Sequence, residues 1–394
     1  MASSALLLLS PSPSPVKSDT LSAAYLSPIT EVVSALKSQP SSTELVITVP
    51  VPHLQQQLSL PRSVIYDEAQ HLLAGLYSLF CAVCARLKVD VESGTPGSLD
   101  VRILLLTDNT NDGSFLGGPI VDIASFARGR PTWNNTFLSN DDHTQAWFAR
   151  LKDAQKQYNV TSSDHFQTVK AGYSAIVDSP HSLDIPRSSA AKPHHIVAVG
   201  GTFDHVHAGH KLLLTATALL LQPSSEPRRL IVGITGDELL KNKKYAQYLG
   251  SWKERQDDVV QFLLSVLLFE DSHKEQNIET TSFNRPVPNG KAIHTRIVPY
   301  NLTIECAEIQ DPFGPTITDE SVTALVVSGE TRSGGQAVND ERAKKGWSSL
   351  EVFEIDVLDD GGSGDASRTE NFASKISSTA IRKRIAENNG KPSL

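Results

Sequence analysis

The segment Val199-Gly200-Gly201-Thr202-Phe203-Asp204-His205-Val206-His207-Ala208-Gly209-His210 gathers glycines, a hydroxyl, a carboxylate and three histidines, of which His207 and His210 stand three positions apart. It follows a β-branched run at 196–199 and opens an apolar-periodic stretch at about 208–221, so the pattern predicts a strand, a glycine turn and a helix start. Glycines let backbone approach a ligand closely. A helix N-terminus supplies free N–H groups and a positive dipole end, and histidines spaced i and i+3 share one helical face. That environment suits phosphate. A lone His-x-x-His would read as surface histidines beside a turn, but the Gly-Gly-Thr-Phe-Asp run at a strand exit shifts the reading to nucleotide binding.

Three further clusters carry positive charge or hydroxyls. Ser377, Ser378 and Thr379 precede Ala380-Ile381-Arg382-Lys383-Arg384-Ile385, a good N-cap followed by a helix with a basic face. Lys241, Lys243 and Lys244 follow the run at 229–234, and their spacing does not choose among them. Gly329, Thr331 and Arg332 follow another short apolar run at 324–327. An Asp at a turn before a helix, such as Asp204, is commonly a cap. Taken singly, each cluster is compatible with a solvated turn or a capped helix. Together they describe a site for a polyanion.

Gly-Thr-Phe-Asp-x-x-His-x-Gly-His resembles the nucleotidyltransferase superfamily, and residues 376–382 resemble its Ile-Ser-Ser-Thr-x-x-Arg element. The segments at 232–243, Asp311-Pro312-Phe313-Gly314-Pro315 and 326–335 narrow the likeness to eukaryotic phosphopantetheine adenylyltransferases, of the fungal type that carries an N-terminal domain. The resemblance covers about 196–385, half of the chain. It implies AMP transfer from ATP to 4′-phosphopantetheine, giving dephospho-coenzyme A and pyrophosphate, with Mg²⁺ arriving on the triphosphate. It also implies roles. Thr202, His207, His210 and Lys244 would act on the reacting phosphates, with His210 foremost. Gly200, Gly201, Thr202, Phe203, Asp204, Lys241, Lys243, Gly329, Thr331, Arg332, Ser377, Ser378, Thr379 and Arg382 would bind ATP and acceptor. Family members from bacteria commonly have Thr at the position of His207 and Arg at that of Ser328.

No Gly-x-x-x-x-Gly-Lys-Ser/Thr loop exists in the sequence: Gly290-Lys291 precedes Ala292 and Gly390-Lys391 precedes Pro392. The expectation is a monofunctional adenylyltransferase without dephospho-coenzyme A kinase activity. Competing readings are a cytidylyl- or adenylyltransferase with another acceptor, and a nucleotide-binding scaffold for coenzyme A enzymes.

The elements that must position these residues are those of an α/β protein. After 194, strand and helix patterns alternate at 196–199, 208–221, 229–234, 253–268, 292–298, 324–327 and 350–355, predicting a Rossmann-like nucleotidyltransferase domain with a mainly parallel sheet over 194–390. The polar stretches 270–291 and 359–371 read as mobile insertions. Before it, a strand at 44–49, a helix at 67–87 and a strand at 99–106 predict a second α/β domain over 43–180, joined by a linker at 181–193. Cys81 and Cys84 lie on that helix at core spacing. Residues 1–42 hold 12 Ser and 5 Pro and read as a flexible leader.

Composition sets the outer limits. The 394 residues are 39% hydrophobic and 20% charged, ordinary for globular domains. Net charge is −8, and neither half is basic, which excludes bulk nucleic-acid binding. Three cysteines point to a reducing compartment. The run 5–9 is far below the ~20 residues of a bilayer span. The expectation is a cytoplasmic or nucleocytoplasmic enzyme, away from membranes, whose first domain could dock other coenzyme A enzymes.

Overall fold

The computed structural model describes residues 3–91, 95–108, 117–129, 132–160, 166–173, 191–269, 275–287, 290–356, 358 and 377–389. Two compact units emerge: Met1–Pro193 with Ser265–Lys274 and Asp360–Ser363, and His194–Leu264 with Glu275–Asp359 and Gly364–Leu394.

The first unit is built on six parallel strands, β1 (Ser3–Leu8), β2 (Thr43–Pro50), β3 (Leu99–Thr107), β4 (Ile120–Asp122), β5 (Asn135–Ser139) and β6 (Gln167–Val169), in the order β4-β3-β2-β1-β5-β6. Helices α1 (Ser18–Leu36), α2 (Arg62–Leu87), α3 (Ile123–Gly129) and α4 (Asp142–Gln157) connect them. This overturns the flexible leader. Residues 3–8 form a central strand, with Leu6 and Leu8 1% exposed and Leu7 fully buried. A parallel strand covered on both faces reads as an unbroken apolar run, not as an alternation, which is why Ala5-Leu6-Leu7-Leu8-Leu9 escapes a search for period two. The leader also hides a helix. Leu21, Tyr25, Ile29, Val32, Val33 and Leu36 recur at helical spacing and are buried, while serines dominate the composition around them. Residues 3–42 therefore belong to the folded unit.

Helix α2 is long and apolar enough to cross a membrane by composition alone. Its Leu73, Leu76, Tyr77, Phe80 and Cys84 are instead buried within the protein, and Cys81 and Cys84 lie in that core outside any disulfide. Of the anticipated linker, 181–190 lie outside the described residues.

The second unit holds β7 (Ile196–Gly201), α5 (Ala208–Leu220), β8 (Arg228–Thr235), α6 (Trp252–Leu267), β9 (Ile278–Val287), β10 (Gly290–Ile297), β11 (Leu302–Ile309), β12 (Ala324–Ser328), α7 (Arg332–Lys344), β13 (Glu351–Ile355) and α8 (Ser378–Asn389). The sheet order is β13-β12-β7-β8-β11-β10-β9, parallel from β13 through β11 and antiparallel at β10 and β9. One face packs Ala198, Ile231, Val322, Leu325, Val327, Val338 and Leu350 into a core, against which Phe313 rests. The chain passes from β7 to β8 on one side and later returns to β12 on the other, so the carboxyl end of β7 is a topological switch point, where α/β sheets leave a crevice.

The described part of the expected insertion at 270–291 is not an insertion. Ile278–Val287 pairs with β10, Thr281 opposite His294. Its β-branched, polar sequence suits a solvated edge strand, which has no apolar face to advertise it. Residues 359–371 lie outside the described residues.

Candidate active site

β7 ends in Gly200-Gly201, and the chain turns sharply before α5. Phe203 (φ 52°) and His205 (φ 48°) both adopt the left-handed region, sparsely populated for residues with a side chain. A Cβ on Gly201 would lie 3.1 Å from the Phe203 ring. That ring is fully buried and tilted against His210, with centroids 5.3 Å apart. Phe203 was expected among the ligand-binding residues; its side chain instead forms the floor beneath His210, because the left-handed backbone turns it into the core.

His207 is the N-cap of α5, its Nδ1 accepting the N–H of Gly209 at 3.2 Å. Both histidines were expected to project from the first helical turn; only His210 does. Their rings stack at 3.9 Å between centroids, with planes 23° apart. Gly209 is needed there, since a Cβ would come within 3.2 Å of the His207 ring. Burial pushes His210 down to about 4 despite the pull of the Asp204 carboxylate, and burial likewise holds His207 well below the usual imidazole range, reinforced by the charge of His210. At neutral pH the pair is uncharged. Because Nδ1 of His207 accepts a hydrogen bond, its ring proton sits on Nε2.

Asp204 is fully buried and forms an ion pair with Arg382, itself 2% exposed. The other Asp204 oxygen accepts the N–H of Gly250 at 3.1 Å. Arg382 also donates to the carbonyl of Lys244 at 3.1 Å and to Thr379 Oγ1 at 3.2 Å. Ser378 Oγ donates to the carbonyl of Asp204 at 2.8 Å, and Ser377 Oγ accepts from the Ala380 N–H at 3.4 Å. The glycine turn and the last helix, distant in sequence, are thus one constellation. Ile376 lies outside the described residues.

Arg255, on the first turn of α6, was not anticipated. Nε donates to the Gly250 carbonyl at 2.9 Å, Nη1 to the Thr202 carbonyl at 2.7 Å, and Nη2 to the Thr235 carbonyl at 2.8 Å and Asp237 Oδ1 at 2.7 Å. One buried guanidinium therefore fixes the exits of β7 and β8 together. The signal was present: Arg255 sits four residues before Val259 on the helix face that carries Val259 and Phe262 into the core.

The lysines divide. Lys241 is paired with Glu238, whereas the exposed side chains of Lys243 and Lys244 follow it in the loop beside Arg382. At the end of β12, Gly329–Thr331 is a 3-10 turn in which Thr331 Oγ1 accepts the Ser328 N–H at 3.1 Å. Arg332, expected as a nucleotide contact, is held by Glu354 through two bonds of 2.6 and 2.7 Å. Asp311 Oδ1 accepts the N–H groups of Phe313 and Gly314, both at 2.7 Å, and Gly314 has φ +52°, so Asp-Pro-Phe-Gly-Pro builds a rigid turn after β11.

Every one of these residues falls within 198–384, the span that matches the family described as cytidylyltransferase-like. Residues 1–175 match a family described only as a domain of unknown function. The phosphopantetheine adenylyltransferase of Saccharomyces cerevisiae is 30% identical over 258 residues, 66% of each chain. That of Pyrococcus abyssi is 30% identical over 196 residues, half of this chain and 94% of the archaeal one. The chain belongs to the phosphopantetheine adenylyltransferase family. It is a nucleotidyltransferase, and its family likeness is of the fungal type: an uncharacterised protein of Schizosaccharomyces pombe is 30% identical over 296 residues, 73% of this chain and 78% of that one. Half of this chain suffices to match nearly the whole of the archaeal adenylyltransferase, so the family's chemistry is compatible with one α/β unit.

Proposed function

We propose that the chain transfers AMP from ATP to 4′-phosphopantetheine, releasing pyrophosphate and dephospho-coenzyme A. The observation that carries this reading is the stacked, uncharged His207–His210 pair at the N-terminus of α5, set where β7 meets its switch point. An acceptor phosphate oxygen is already a nucleophile, so the protein's task is to hold two polyanions in line and to meet the charge that moves onto pyrophosphate. Neutral imidazoles can donate hydrogen bonds without the cost of a buried cation, and a triphosphate beside them favours their protonation as the leaving group gains charge. Thr202 and the N–H groups of the α5 N-terminus supply further donors, and Lys243 and Lys244 add positive charge beside the site. Mg²⁺ enters as part of the MgATP substrate, on phosphate oxygens. The names of the yeast and archaeal relatives support 4′-phosphopantetheine as acceptor.

Pyrophosphate release by the purified full chain, measured with ATP or CTP against 4′-phosphopantetheine, nicotinamide mononucleotide and a phosphoalcohol, tests the reading. ATP with 4′-phosphopantetheine is the expected productive pair. Turnover of another pair at a higher kcat/KM overturns it. The product is expected to leave for a separate kinase, since the sequence lacks a P-loop; formation of coenzyme A from dephospho-coenzyme A and ATP would contradict that part.

A further inference from the structure

The first unit carries its own arrangement of reactive side chains. Ser12 Oγ lies 3.4 Å from His53 Nδ1, and His53 Nε2 lies 3.1 Å from Glu68 Oε1. The three come from different elements at one end of one sheet. Ser12 follows β1, His53 is on the 3-10 turn Pro52–Gln57 that follows β2, and Glu68 is on the second turn of α2. Strands β1 and β2 are parallel neighbours, and β1 is flanked by β5 on its other side, so the chain departs from β1 in two directions. That is again the switch point of a doubly wound sheet, where such folds hold ligands.

The backbone around the pair is fixed. Pro11 and Pro13 bracket Ser12, and its N–H donates to the carbonyl of Pro50, the last residue of β2, at 2.9 Å. Pro52 directly precedes His53. Two rigid segments thus hold hydroxyl and imidazole at a separation that a small movement converts into a hydrogen bond, as is common before substrate binds. Ser12 is 6% exposed, whereas the His53 and Glu68 side chains are about one-third open to solvent, a gradient from a sheltered hydroxyl to an accessible base.

The geometry points to a second active site, a serine acyl-hydrolase relay in which Ser12 is the nucleophile, His53 the general base and Glu68 the carboxylate that stabilises the charged imidazole. The substrate class is a carboxylic ester or thioester. Ser12 Oγ bonds to the acyl carbon while its proton passes to His53 Nδ1. The alkoxide or thiolate then leaves with that proton. A water, deprotonated by the same nitrogen, attacks the acyl-serine and releases the carboxylic acid and free Ser12. The Glu68 carboxylate, 3.1 Å from Nε2, stabilises the imidazolium that forms when Nδ1 takes the proton.

This site is independent of the adenylyl transfer proposed above, and the two are measured separately. The full-length chain is treated with a fluorophosphonate probe, and the tryptic peptides are read by mass spectrometry, in parallel with hydrolysis of p-nitrophenyl acetate. The expected result is phosphonylation at Ser12 with loss of fluoride, slowed about 10²-fold in His53→Ala and to a smaller extent in Glu68→Gln. Ester hydrolysis should be lost in Ser12→Ala, while adenylyl transfer by the same sample continues at the wild-type rate and certifies the fold. Absence of label on Ser12 in the wild-type chain overturns the proposal whatever the variants do. So does labelling at an equal rate in His53→Ala.

Discussion

Asp204 and Arg382 are joined by an ion pair across 178 positions of sequence, and both are almost wholly removed from water. The pair couples the glycine turn after β7 to the first turn of α8. Removing one partner strands the other charge in a site that cannot solvate it. Asp204→Asn should therefore destabilise the second unit by about 3–5 kcal/mol, and Arg382→Met made on top of it should restore part of the loss. A double-mutant cycle by urea unfolding measures this, and additive losses would show that the pair is not coupled.

In the proposed adenylyl transfer His210 meets the charge that moves onto pyrophosphate, and its neighbour His207 covers one face of its ring. His210→Ala should lower kcat by about 10²-fold or more with little change in the KM for ATP, because the contact strengthens only as pyrophosphate leaves. Steady-state kinetics with 4′-phosphopantetheine as acceptor decides it. An effect confined to KM would make His210 a ground-state contact.

The same two histidines set a pH dependence of stability. In the folded chain His210 takes up its proton only near pH 4 and His207 also well below its ordinary range, whereas in the unfolded chain both titrate near 6.5. The unfolded state then binds more protons on the acid side of 6.5, so the stability present above that pH is lost as pH falls toward 4. The slope approaches about 1.4 kcal/mol per pH unit for each histidine. Urea midpoints at pH 7.5, 6 and 5 should fall in that order, and His210→Asn should flatten the decline.

Arg255 satisfies the carbonyls of Thr202 and Thr235 at the exits of β7 and β8, and that of Gly250 just before α6, with a single guanidinium. Arg255→Ala leaves those carbonyls without a donor and should cost about 2–4 kcal/mol. Arg255→Lys should rescue little, since an ammonium cannot reproduce the planar fork. Thermal unfolding of both variants separates loss of charge from loss of geometry.

Arg332 is held by Glu354 rather than by a ligand. If its role is to meet nucleotide, the carboxylate competes with ATP for it. Glu354→Gln should then lower the KM for ATP several-fold without raising kcat. An unchanged KM would confine Arg332 to the edge of β13.

The glycine-histidine turn and the Ser-Ser-Thr helix start were legible because each encodes a local backbone requirement. Strands at the centre of the second sheet were legible for the same reason, as short β-branched runs between turns. The rest depended on partners far away in sequence. Nothing near Arg382 signals that its charge meets Asp204, and nothing near Arg332 signals Glu354. Residues 3–8 were misread because a strand buried on both faces shows no alternation, and the Ser-Pro segment behind it weighted the composition toward disorder. Edge strand β9 failed in the opposite way, since its solvated Thr-Thr-Ser run offers no apolar stripe to find.

Strand β1 has a consequence for how the chain is made. One of its neighbours, β2, follows within about 50 residues, but its other neighbour arrives only when Leu138 reaches the register of Leu8. During synthesis this apolar segment must stay unpaired on one side until α4 begins to emerge, a window in which it can bind a chaperone or a second chain instead. Deleting the first eight residues would remove the strand that joins the two halves of the sheet, so a truncation that looks harmless from composition would leave β2 and β5 with exposed edges and favour aggregation over folding.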